Sequence, residues 1–477
     1  MKLGKLINSV SSEYSQIEIT SLSFDSEDVQ KGCLFFCLNG LKTDGHKYIA
    51  RARERGACCA VVEKYVDDEL PQILVSSSRE TLSKVSRIFF GESDKKLTMV
   101  GITGTNGKTS TAYMIKSILE VAGKKVGMIG TNGIFIGKER FETKLTTPDP
   151  IEYNSMLALM VKKGVEVVVS EVSAHSLALY KVEGIVFDIA CFTNFSQDHL
   201  DFFKRMQNYK NAKLRLFAKE HSKFAVLNAD DEVGREIMGF YEGEYYSYGT
   251  QNPADTFAID EQFGEDGVTF IMNVLDEIIP VKSNLCGRFN VYNILCASSV
   301  CHKLGVSNED IYHGIMKINK VDGRFNIISG KSNSIIIDFA HTDDGLKNAI
   351  NSIKEFCEGR IITVFGCGGD RDKSKRPLMG KVATQLSDYC ILTSDNPRSE
   401  DPISIIEDIK KGIDKDNYTV LVKRKEAIRY ALEIAKENDI IFIAGKGAEQ
   451  YQEINGIKYS YNDEKYIMQL IEENVII

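Results

Sequence analysis

The sequence contains no tryptophan, only 8 prolines and no Cys-x-x-Cys spacing among its 11 cysteines. Structural zinc sites usually need such closely spaced pairs, so a zinc-binding fold is not expected. The odd number of cysteines, most of them within apolar runs, predicts free thiols in a reducing compartment. An excess of positive charge is also missing, because 59 Lys and Arg residues face 67 Asp and Glu residues. A general nucleic-acid binder, which needs that excess to meet phosphates, is therefore excluded.

Long hydrophobic runs are absent as well. No stretch of about 18 uncharged apolar residues occurs, so no transmembrane helix is expected. The N-terminus lacks the apolar run and small-residue cleavage site of a signal peptide, and we therefore expect a cytoplasmic protein. Hydrophobic residues nevertheless make up 43% of the 477 residues and charged residues 26%, as in folded globular proteins. This length predicts about three domains.

The sequence pattern changes twice along the chain. Before residue 90, short apolar runs alternate with polar turns, which predicts a small mixed α/β unit, and residues 91–96 (GESDKK) are typical of a linker. Between residues 97 and 325, strand patterns around a glycine-rich loop predict one large α/β domain. Strand and helix patterns then alternate, which predicts a doubly wound, Rossmann-like sheet. We place the three domains at residues 1–94, 95–325 and 326–477.

The glycine-rich loop lies between a strand pattern and a helix pattern. Its glycines, among them Gly104 and Gly107, would let backbone N–H groups approach phosphate oxygens at the start of the helix. Lys108 would reach the β- and γ-phosphates, and the Thr109 hydroxyl would bind Mg²⁺. The first glycine, Gly101, lies one residue further away than in the common phosphate loop. The alternative is a glycine-rich turn with a surface lysine, and the motif alone fits kinases, GTPases and motors equally well.

Four loops of the C-terminal domain follow predicted strands and are unusually polar. In open α/β sheets, ligands bind at the carboxyl ends of the strands, so these loops predict a binding site. The loops are HTDDG, GGDRDKSKRP, DNPRSEDP and GKGAEQ.

Eleven motifs occur in an order that resembles the ATP-dependent Mur ligases of peptidoglycan synthesis, and together they cover almost the whole chain. They are GTNGKTS (104–110), TTPDP (146–150), EVSAHSL (171–177), TNFSQDHLDF (193–202), NYKNAKLRLF (208–217), GRFNVYN (287–293), DGRFN (322–326), DFAHTDDGL (338–346), GCGGDRDKSKRPLMG (366–380), DNPRSEDP (395–402) and GKGAEQYQ (445–452).

The resemblance implies a three-domain α/β fold and a reaction. The N-terminal domain would bind the UDP-sugar, a central P-loop-type parallel-sheet domain would bind ATP, and a C-terminal Rossmann-like domain would bind the incoming amino acid. ATP would phosphorylate the D-Glu carboxylate of UDP-MurNAc-L-Ala-D-Glu, and the amine of a diamino acid would attack the acyl phosphate. Mg²⁺ and a CO₂-derived carbamate on Lys213 are implied as cofactors. A monomer without a nucleic-acid partner is expected.

The same resemblance assigns roles to individual residues. Taken alone, Glu171 is typical of a solvated strand end, His199 of a hydrogen-bonded histidine, and Lys213 of a surface helix. The implied catalytic residues are Lys108, Glu171, His199 and carbamylated Lys213, and the implied metal ligands are Thr109, Glu171, His199 and Lys213. The implied ATP-binding residues are Gly104, Thr105, Asn106, Gly107, Lys108, Thr109, Ser110, Asn290, Asn293, Arg324 and Asp338, with His341 and Asp344 ordering the loop. The implied UDP-sugar-binding residues are Ser26, Thr146, Thr147, Ser173 and Lys181, together with Asp25 and the DGH segment 44–46. The implied amino-acid-binding residues are Asp395, Asn396, Pro397, Arg398, Gly445 and Glu449.

The DNPR motif indicates which amino acid is added. Arg398 can pair with a carboxylate through two hydrogen bonds, and in the family DNPR accompanies meso-diaminopimelate, which has a second carboxylate. Glu449 suits the distal ammonium of that substrate by charge. Four positions depart from the family pattern, namely Glu27 for Arg, Ala174 for Ser, Lys181 for Arg and Ala448 for His.

Three alternatives remain open at this point. The same ligase chemistry could use L-lysine or another diamino acid. A polyglutamate-adding ligase acting on a folate shares the superfamily, although the DNPR and DGH motifs argue against it. A non-catalytic nucleotide-sugar-binding protein could keep the fold, but it would be expected to lose Lys108, Glu171, His199 or Lys213, and all four are present.

Overall fold

The computed structural model describes residues 1–8, 10–40, 43–330 and 333–473. Within these ranges no helix is both long and apolar enough to cross a membrane. All 11 cysteines are free, and nine of them are buried.

The N-terminal part is built on a four-stranded sheet whose strands are all parallel. Its elements are α1 Leu3–Leu6, β1 Ser21–Ser23, β2 Cys33–Phe36, α2 Ile49–Glu54, β3 Ala57–Val62, β4 Gln72–Leu74 and α3 Ser78–Phe89, with a 3-10 turn at Gly45–Tyr48. The strand order is β1-β2-β3-β4, and β2 is buried along its whole length. Helix α3 begins at a Ser77 cap and packs Leu82 and Val85 into the core.

The predicted linker is an ordered connection. Residues Ser93–Lys96 form a 3-10 turn, and Asp94 is buried against Arg87, with Arg87 Nε 2.9 Å from the Asp94 carboxylate. Charged residues of GESDKK therefore anchor the connection between the N-terminal and central parts to α3.

The central part contains a sheet of eleven strands. Its elements are β5 Thr98–Thr103, α4 Lys108–Val121, β6 Val126–Gly130, β7 Gly133–Ile136, β8 Glu139–Phe141, α5 Pro150–Lys162, β9 Val167–Glu171, α6 Ala174–Ala178, β10 Ile189–Phe192, α7 Leu200–Phe203, α8 Met206–Leu214, β11 Phe224–Asn228, α9 Glu232–Phe240, β12 Glu244–Gly249, β13 Thr256–Gly264, β14 Gly267–Val274, β15 Glu277–Ser283, α10 Arg288–Lys303 and α11 Asn308–Met316, with a 3-10 turn at Arg215–Phe217.

The strand order is β15-β14-β13-β12-β11-β10-β5-β9-β6-β7-β8. The strands from β12 to β6 run parallel, and apolar cores cover both faces of this sheet. Antiparallel pairs extend both edges, β6-β7-β8 on one side and β13-β14-β15 on the other. Because β5 is central, the loop that follows it lies at the middle of the sheet edge.

The C-terminal part is a second α/β unit. Its elements are β16 Asn326–Ser329, β17 Ser334–Asp338, α12 Asp343–Lys354, β18 Ile361–Phe365, α13 Lys375–Leu386, β19 Tyr389–Leu392, α14 Pro402–Lys410, β20 Tyr418–Val420, α15 Arg424–Ile434, β21 Ile440–Ala444, β22 Tyr451–Ile454, β23 Ile457–Ser460 and α16 Asp463–Glu472.

Its six-stranded sheet has the order β16-β17-β21-β18-β19-β20. Only the β16 edge strand is antiparallel, and apolar clusters cover both faces, as the alternating pattern predicts. The strands β17, β18, β19 and β21 all end at one edge, so the four polar loops meet there. The hairpin β22-β23 follows the last of these loops.

Candidate active site

A cavity of about 910 Å³ opens between the central and C-terminal sheets. The loop after β5 and the strand end of β9 line it from the central side, and the loops after β17, β18, β19 and β21 line it from the other. The cavity therefore lies where the carboxyl ends of two parallel sheets face each other, which is the usual ligand position in such folds.

The glycine-rich loop presents the N-terminus of α4 to this cavity. Gly107 precedes the helix with φ +85°, and a Cβ there would lie 2.5 Å from Asn293 Oδ1, so only glycine fits without rearrangement. Lys108 Nζ donates hydrogen bonds of 2.8 Å to the carbonyl oxygens of Gly104 and Thr105. Burial lowers the pKa of the Lys108 ammonium. Residues 105–110 all line the cavity, as a phosphate-binding loop requires.

A carboxylate lies directly beside the start of α4. Thr109 Oγ1 donates a 3.0 Å hydrogen bond to Glu171 Oε2, and Glu171 is the last residue of β9. Thr131 holds the same carboxylate through its backbone N–H at 2.9 Å and its hydroxyl at 3.1 Å. Thr131 was not foreseen, since a threonine after a strand carries no distinctive sequence signal. All three side chains line the cavity.

This oxygen-rich corner fits a magnesium ion. Mg²⁺ is commonly bound by one or two protein carboxylates or hydroxyls together with substrate phosphates and waters. Among the described residues no group of three His, Cys, Asp or Glu side chains forms a complete cage. Thr109 and Glu171 therefore offer the few ligands expected of a phosphate-linked magnesium site.

Lys213 does not lie on a helix surface. It is 1% exposed, and its Nζ donates a 2.7 Å hydrogen bond to the Gly104 carbonyl oxygen, the same atom that Lys108 contacts. The ammonium also lies 4.5 Å from the centre of the Tyr209 ring. No carboxylate pairs with it among the described residues, and burial followed by the charge of Lys108 holds its pKa well below the ordinary lysine value.

His199 lies at the cavity wall in a strained conformation, with φ +57°. Burial lowers its pKa to about 3, so the ring is neutral at pH 7 and can act as a ligand. Its Nε2 is 3.2 Å from Asp198 Oδ2.

Asp198 joins the two sheets. Lys375 Nζ of the C-terminal part lies 3.3 Å from Asp198 Oδ1, and His341 Nε2 lies 3.4 Å from Asp198 Oδ2. Burial would raise the pKa of Asp198, but Lys375 and His341 outweigh it and hold the pKa well below the usual range. The ion pair of Asp198 with Lys375 was not predicted, because the QDHLDF and DKSKRP motifs that contain these residues are far apart in sequence.

Arg324, just before β16, and Asp338, at the end of β17, both line the cavity opposite the phosphate loop. Arg324 Nη2 donates a 3.2 Å hydrogen bond to Thr109 Oγ1, and its guanidinium lies 4.4 Å from the centre of the Phe339 ring. The Asp338 carboxylate accepts hydrogen bonds from the backbone N–H groups of Phe325 and Ala340. Asp344 Oδ2 accepts a 3.1 Å hydrogen bond from Asn106 Nδ2, which ties the two parts together.

The two predicted asparagines of α10 differ in position. Asn293 lines the cavity, whereas Asn290 is buried and holds Asn293 through a 3.0 Å hydrogen bond. Beyond Asn293 the cavity extends to Asp230 and Tyr292, which are joined by a 2.8 Å hydrogen bond. Neither residue was predicted to belong to the site, although Tyr292 lies within the GRFNVYN motif.

The predicted UDP-sugar residues are only partly brought together. Thr146 and Ser173 line the cavity, whereas Thr147 donates its hydroxyl to the Glu171 carbonyl oxygen at 2.8 Å. Lys181 is paired with Asp149 at 2.9 Å. Ser26 lies after β1 and is not part of the cavity wall.

The DGH segment connects to the end of β3 through the side chain of His46. His46 is buried, its Nδ1 lies 2.6 Å from Asp44 Oδ1, and its Nε2 accepts the Glu63 N–H at 3.0 Å. Glu27 pairs with Arg51 of α2 and with Arg55, the residue that follows this helix.

The DNPR loop and the loop after β21 face each other at the far end of the cavity. Asp395, Asn396 and Arg398 line it, as do Gly445 and Glu449, while Pro397 does not. The Arg398 backbone is left-handed, with φ +52°, and its Nη1 donates a 2.6 Å hydrogen bond to the Gly369 carbonyl oxygen.

Glu449 already has a cation partner within the protein. Lys446, which is fully buried, places its Nζ 2.7 Å from Glu449 Oε2 and 3.0 Å from Asn396 Oδ1. Asn396 Nδ2 donates to the same glutamate oxygen at 2.8 Å. We predicted that Glu449 suits the distal ammonium of a substrate by charge, and in the structure one of its two carboxylate oxygens already contacts Lys446.

Three segments match the descriptions of one protein family. Residues 18–89 match "Mur ligase family, catalytic domain", residues 102–301 match "Mur ligase middle domain", and residues 323–447 match "Mur ligase, glutamate ligase domain". The chain belongs to the Mur ligase family, as its motifs indicated.

Similar proteins share its full length. It is 42% identical over 99% of its residues to the whole of a Clostridium botulinum protein named UDP-N-acetylmuramoyl-L-alanyl-D-glutamate--2,6-diaminopimelate ligase. It is 39% identical to a protein of the same name from Bacillus velezensis, with 97% of each chain covered. A solved structure with that name superimposes with a TM-score of 0.72, at 30% identity and 99% coverage of both chains. The MurF ligase of Thermotoga maritima in complex with ADP shares the fold at 20% identity, with a TM-score of 0.65 over 96% of this chain and 98% of that one.

Proposed function

We propose that this protein is an ATP-dependent ligase that joins meso-2,6-diaminopimelate to the D-Glu of UDP-MurNAc-L-Ala-D-Glu in peptidoglycan synthesis. The γ-phosphoryl group of ATP is transferred to the D-Glu side-chain carboxylate, and ADP is released. The amine of diaminopimelate attacks the acyl carbon, and collapse of the tetrahedral intermediate expels phosphate. The observation that carries the proposal is that the phosphate loop and the DNPR loop line one cavity.

Within this function, the central side of the cavity binds ATP. The α4 N-terminus and Lys108 would contact the phosphates, and Arg324, just before the C-terminal part, reaches the same corner. Thr109 and Glu171 would hold Mg²⁺. When bound, the ion neutralises charge on the transferred phosphoryl group.

We also propose that Lys213 carries a carbamate in the active enzyme. A buried lysine with a lowered pKa is more often neutral, and the neutral amine is the nucleophile that CO₂ requires. The carbamate would place an anion where the Lys213 amine now lies, beside the Gly104 carbonyl oxygen. Neutral His199, at the cavity wall, would share a metal ion with it.

The domain roles follow the same division. We assign residues 1–94 to the UDP-sugar, 95–325 to ATP and 326–477 to the amino acid. Support comes from the three family matches, which fall within or near these ranges. Ser26 would contact the UDP-sugar, and Thr146, Thr147, Ser173 and Lys181 its peptide.

The added amino acid is assigned from Arg398. Its half-buried guanidinium faces the cavity, and a second substrate carboxylate would satisfy it. L-Lysine lacks that group. Sites built to pair with a substrate group reject analogues that lack it, by roughly 10⁴–10⁵ in the best cases.

The decisive experiment is ADP release in the presence of UDP-MurNAc-L-Ala-D-Glu, with meso-diaminopimelate, L-lysine or L-ornithine compared. We expect turnover that requires both the nucleotide sugar and diaminopimelate. The Lys108→Ala variant is the inactive control. Equal or better use of lysine would overturn the amino acid but leave the ligase chemistry, and absence of turnover with every diamino acid would overturn the function.

A further inference from the structure

The hairpin β22-β23 is bound tightly to the DNPR loop. Gln452 Nε2 donates a 2.6 Å hydrogen bond to the Asp395 carbonyl oxygen, and the Glu453 N–H donates to Asn396 Oδ1 at 2.9 Å. Arg398 pairs with the hairpin through its backbone, since its N–H donates to the Glu453 carbonyl oxygen at 3.0 Å and its own carbonyl accepts the Asn455 N–H at 2.6 Å. The hairpin therefore sets the position of Arg398.

The same hairpin brings a carboxylate to the Arg398 side chain. Glu453 Oε2 lies 3.8 Å from Arg398 Nε, and the two side chains are 24% and 19% exposed. On the other side, Arg398 Nη1 is occupied by the Gly369 carbonyl oxygen. The guanidinium is thus partly neutralised before any substrate arrives.

The other carboxylates of these loops have different partners. Glu449 is held by Lys446, and Asp370 by the N–H and hydroxyl of Ser399. Glu400 forms two hydrogen bonds of 3.0 and 2.8 Å with buried Arg376. Among the acidic residues described in this region, Glu453 is the one whose ion pair is with Arg398.

We propose that Glu453 is a specificity-determining residue for the incoming amino acid, and this rests on the proposed function in which Arg398 receives a second substrate carboxylate. Diaminopimelate must compete with Glu453 for the guanidinium. When L-lysine binds, Arg398 stays paired with Glu453. The absence of a second carboxylate in L-lysine therefore weakens its binding less than it would if Arg398 had no partner. Glu453 therefore reduces the preference of this enzyme for diaminopimelate over L-lysine.

The test is a Glu453→Gln substitution, which keeps the size of the side chain and removes its charge. We expect KM for diaminopimelate to fall about two- to fivefold and KM for lysine to rise by a similar factor, the scale expected for a partly exposed ion pair. KM for ATP should not change. Glu433→Gln is the matched control, because Glu433 is exposed on α15 of the same domain and does not line the cavity.

A double-mutant cycle separates the charge effect from a change in the hairpin fold. In an Arg398→Ala background, Glu453→Gln should leave the ratio of kcat/KM for the two amino acids unchanged. A shift of the ratio in that background, equal changes for both amino acids, or no change in the single variant would overturn the role of Glu453. Failure of the wild-type protein to use diaminopimelate would instead overturn the proposed function.

Discussion

Replacing Lys213 with methionine should separate activity from stability. The substitution removes one hydrogen bond to the Gly104 carbonyl oxygen, worth about 1 kcal/mol, and that oxygen keeps its 2.8 Å bond from Lys108. It also removes the cost of holding a polar amine in a site that is 1% exposed. These terms oppose each other, so the free energy of unfolding should change by less than about 2 kcal/mol.

Activity should respond very differently. If Lys213 supplies a carbamate, Lys213→Met should lose about 10²–10³-fold in kcat, the scale seen when one preorganised polar group is removed. Formate or acetate should restore part of it by supplying an anion. The wild-type protein should incorporate ¹³C-bicarbonate as a carbamate detectable by NMR, and the variant should not. An active Lys213→Met protein, or a loss of activity that matches a loss of folded protein, would refute the reasoning.

The same lysine should shape the dependence of stability on pH. Its folded-state pKa lies well below the unfolded value of about 10.4, chiefly because of burial. In the interval between those two values the unfolded chain binds the extra proton, so the free energy of unfolding rises with pH up to about 10.4. In CO₂-free buffer, Lys213→Met should have a flatter profile over that range. An unchanged slope would place the amine in a more solvated site.

Three further predictions concern other parts of the molecule. Lys108→Ala should lower kcat about 10²–10³-fold, while calorimetry should show unchanged affinity for the UDP-sugar; equal losses would contradict the assigned domain roles. The pKa of His199 is lowered from 6.5 to about 3, so between those pH values the unfolded chain binds the extra proton and the free energy of unfolding falls as pH decreases. Chemical denaturation of His199→Gln should show a shallower fall than the wild-type protein. An identical pH profile would argue against a neutral ring. Asp463→Asn leaves the buried Arg424 charge unpaired and should lower the free energy of unfolding by about 3–5 kcal/mol, since the side chains of that ion pair are 1% and 0% exposed. The control is Glu426→Gln, which removes an exposed partner of Lys423 and should leave the unfolding midpoint unchanged. Equal effects of the two substitutions would contradict the role of burial.

The sequence by itself determined the fold class, the family and the phosphate loop. These depend on local patterns, because a strand–glycine loop–helix segment carries its own signal in apolar periodicity and in the glycines that the turn requires. The four polar loops after strands were predictable for the same reason, since strand direction in a parallel sheet brings their ends to one edge. The identification of the family is confirmed by the relatives.

Only the tertiary structure decided how distant charges meet. Lys213 has the sequence context of a surface helix, yet packing of α8 beneath the phosphate loop buries it against Gly104. The pairing of Asp198 with Lys375, and of Glu453 with Arg398, depends on contacts between segments whose local patterns are independent of each other. The contact of Lys446 with Glu449 was also not predicted, because two residues three positions apart meet only if the loop after β21 turns in the right way.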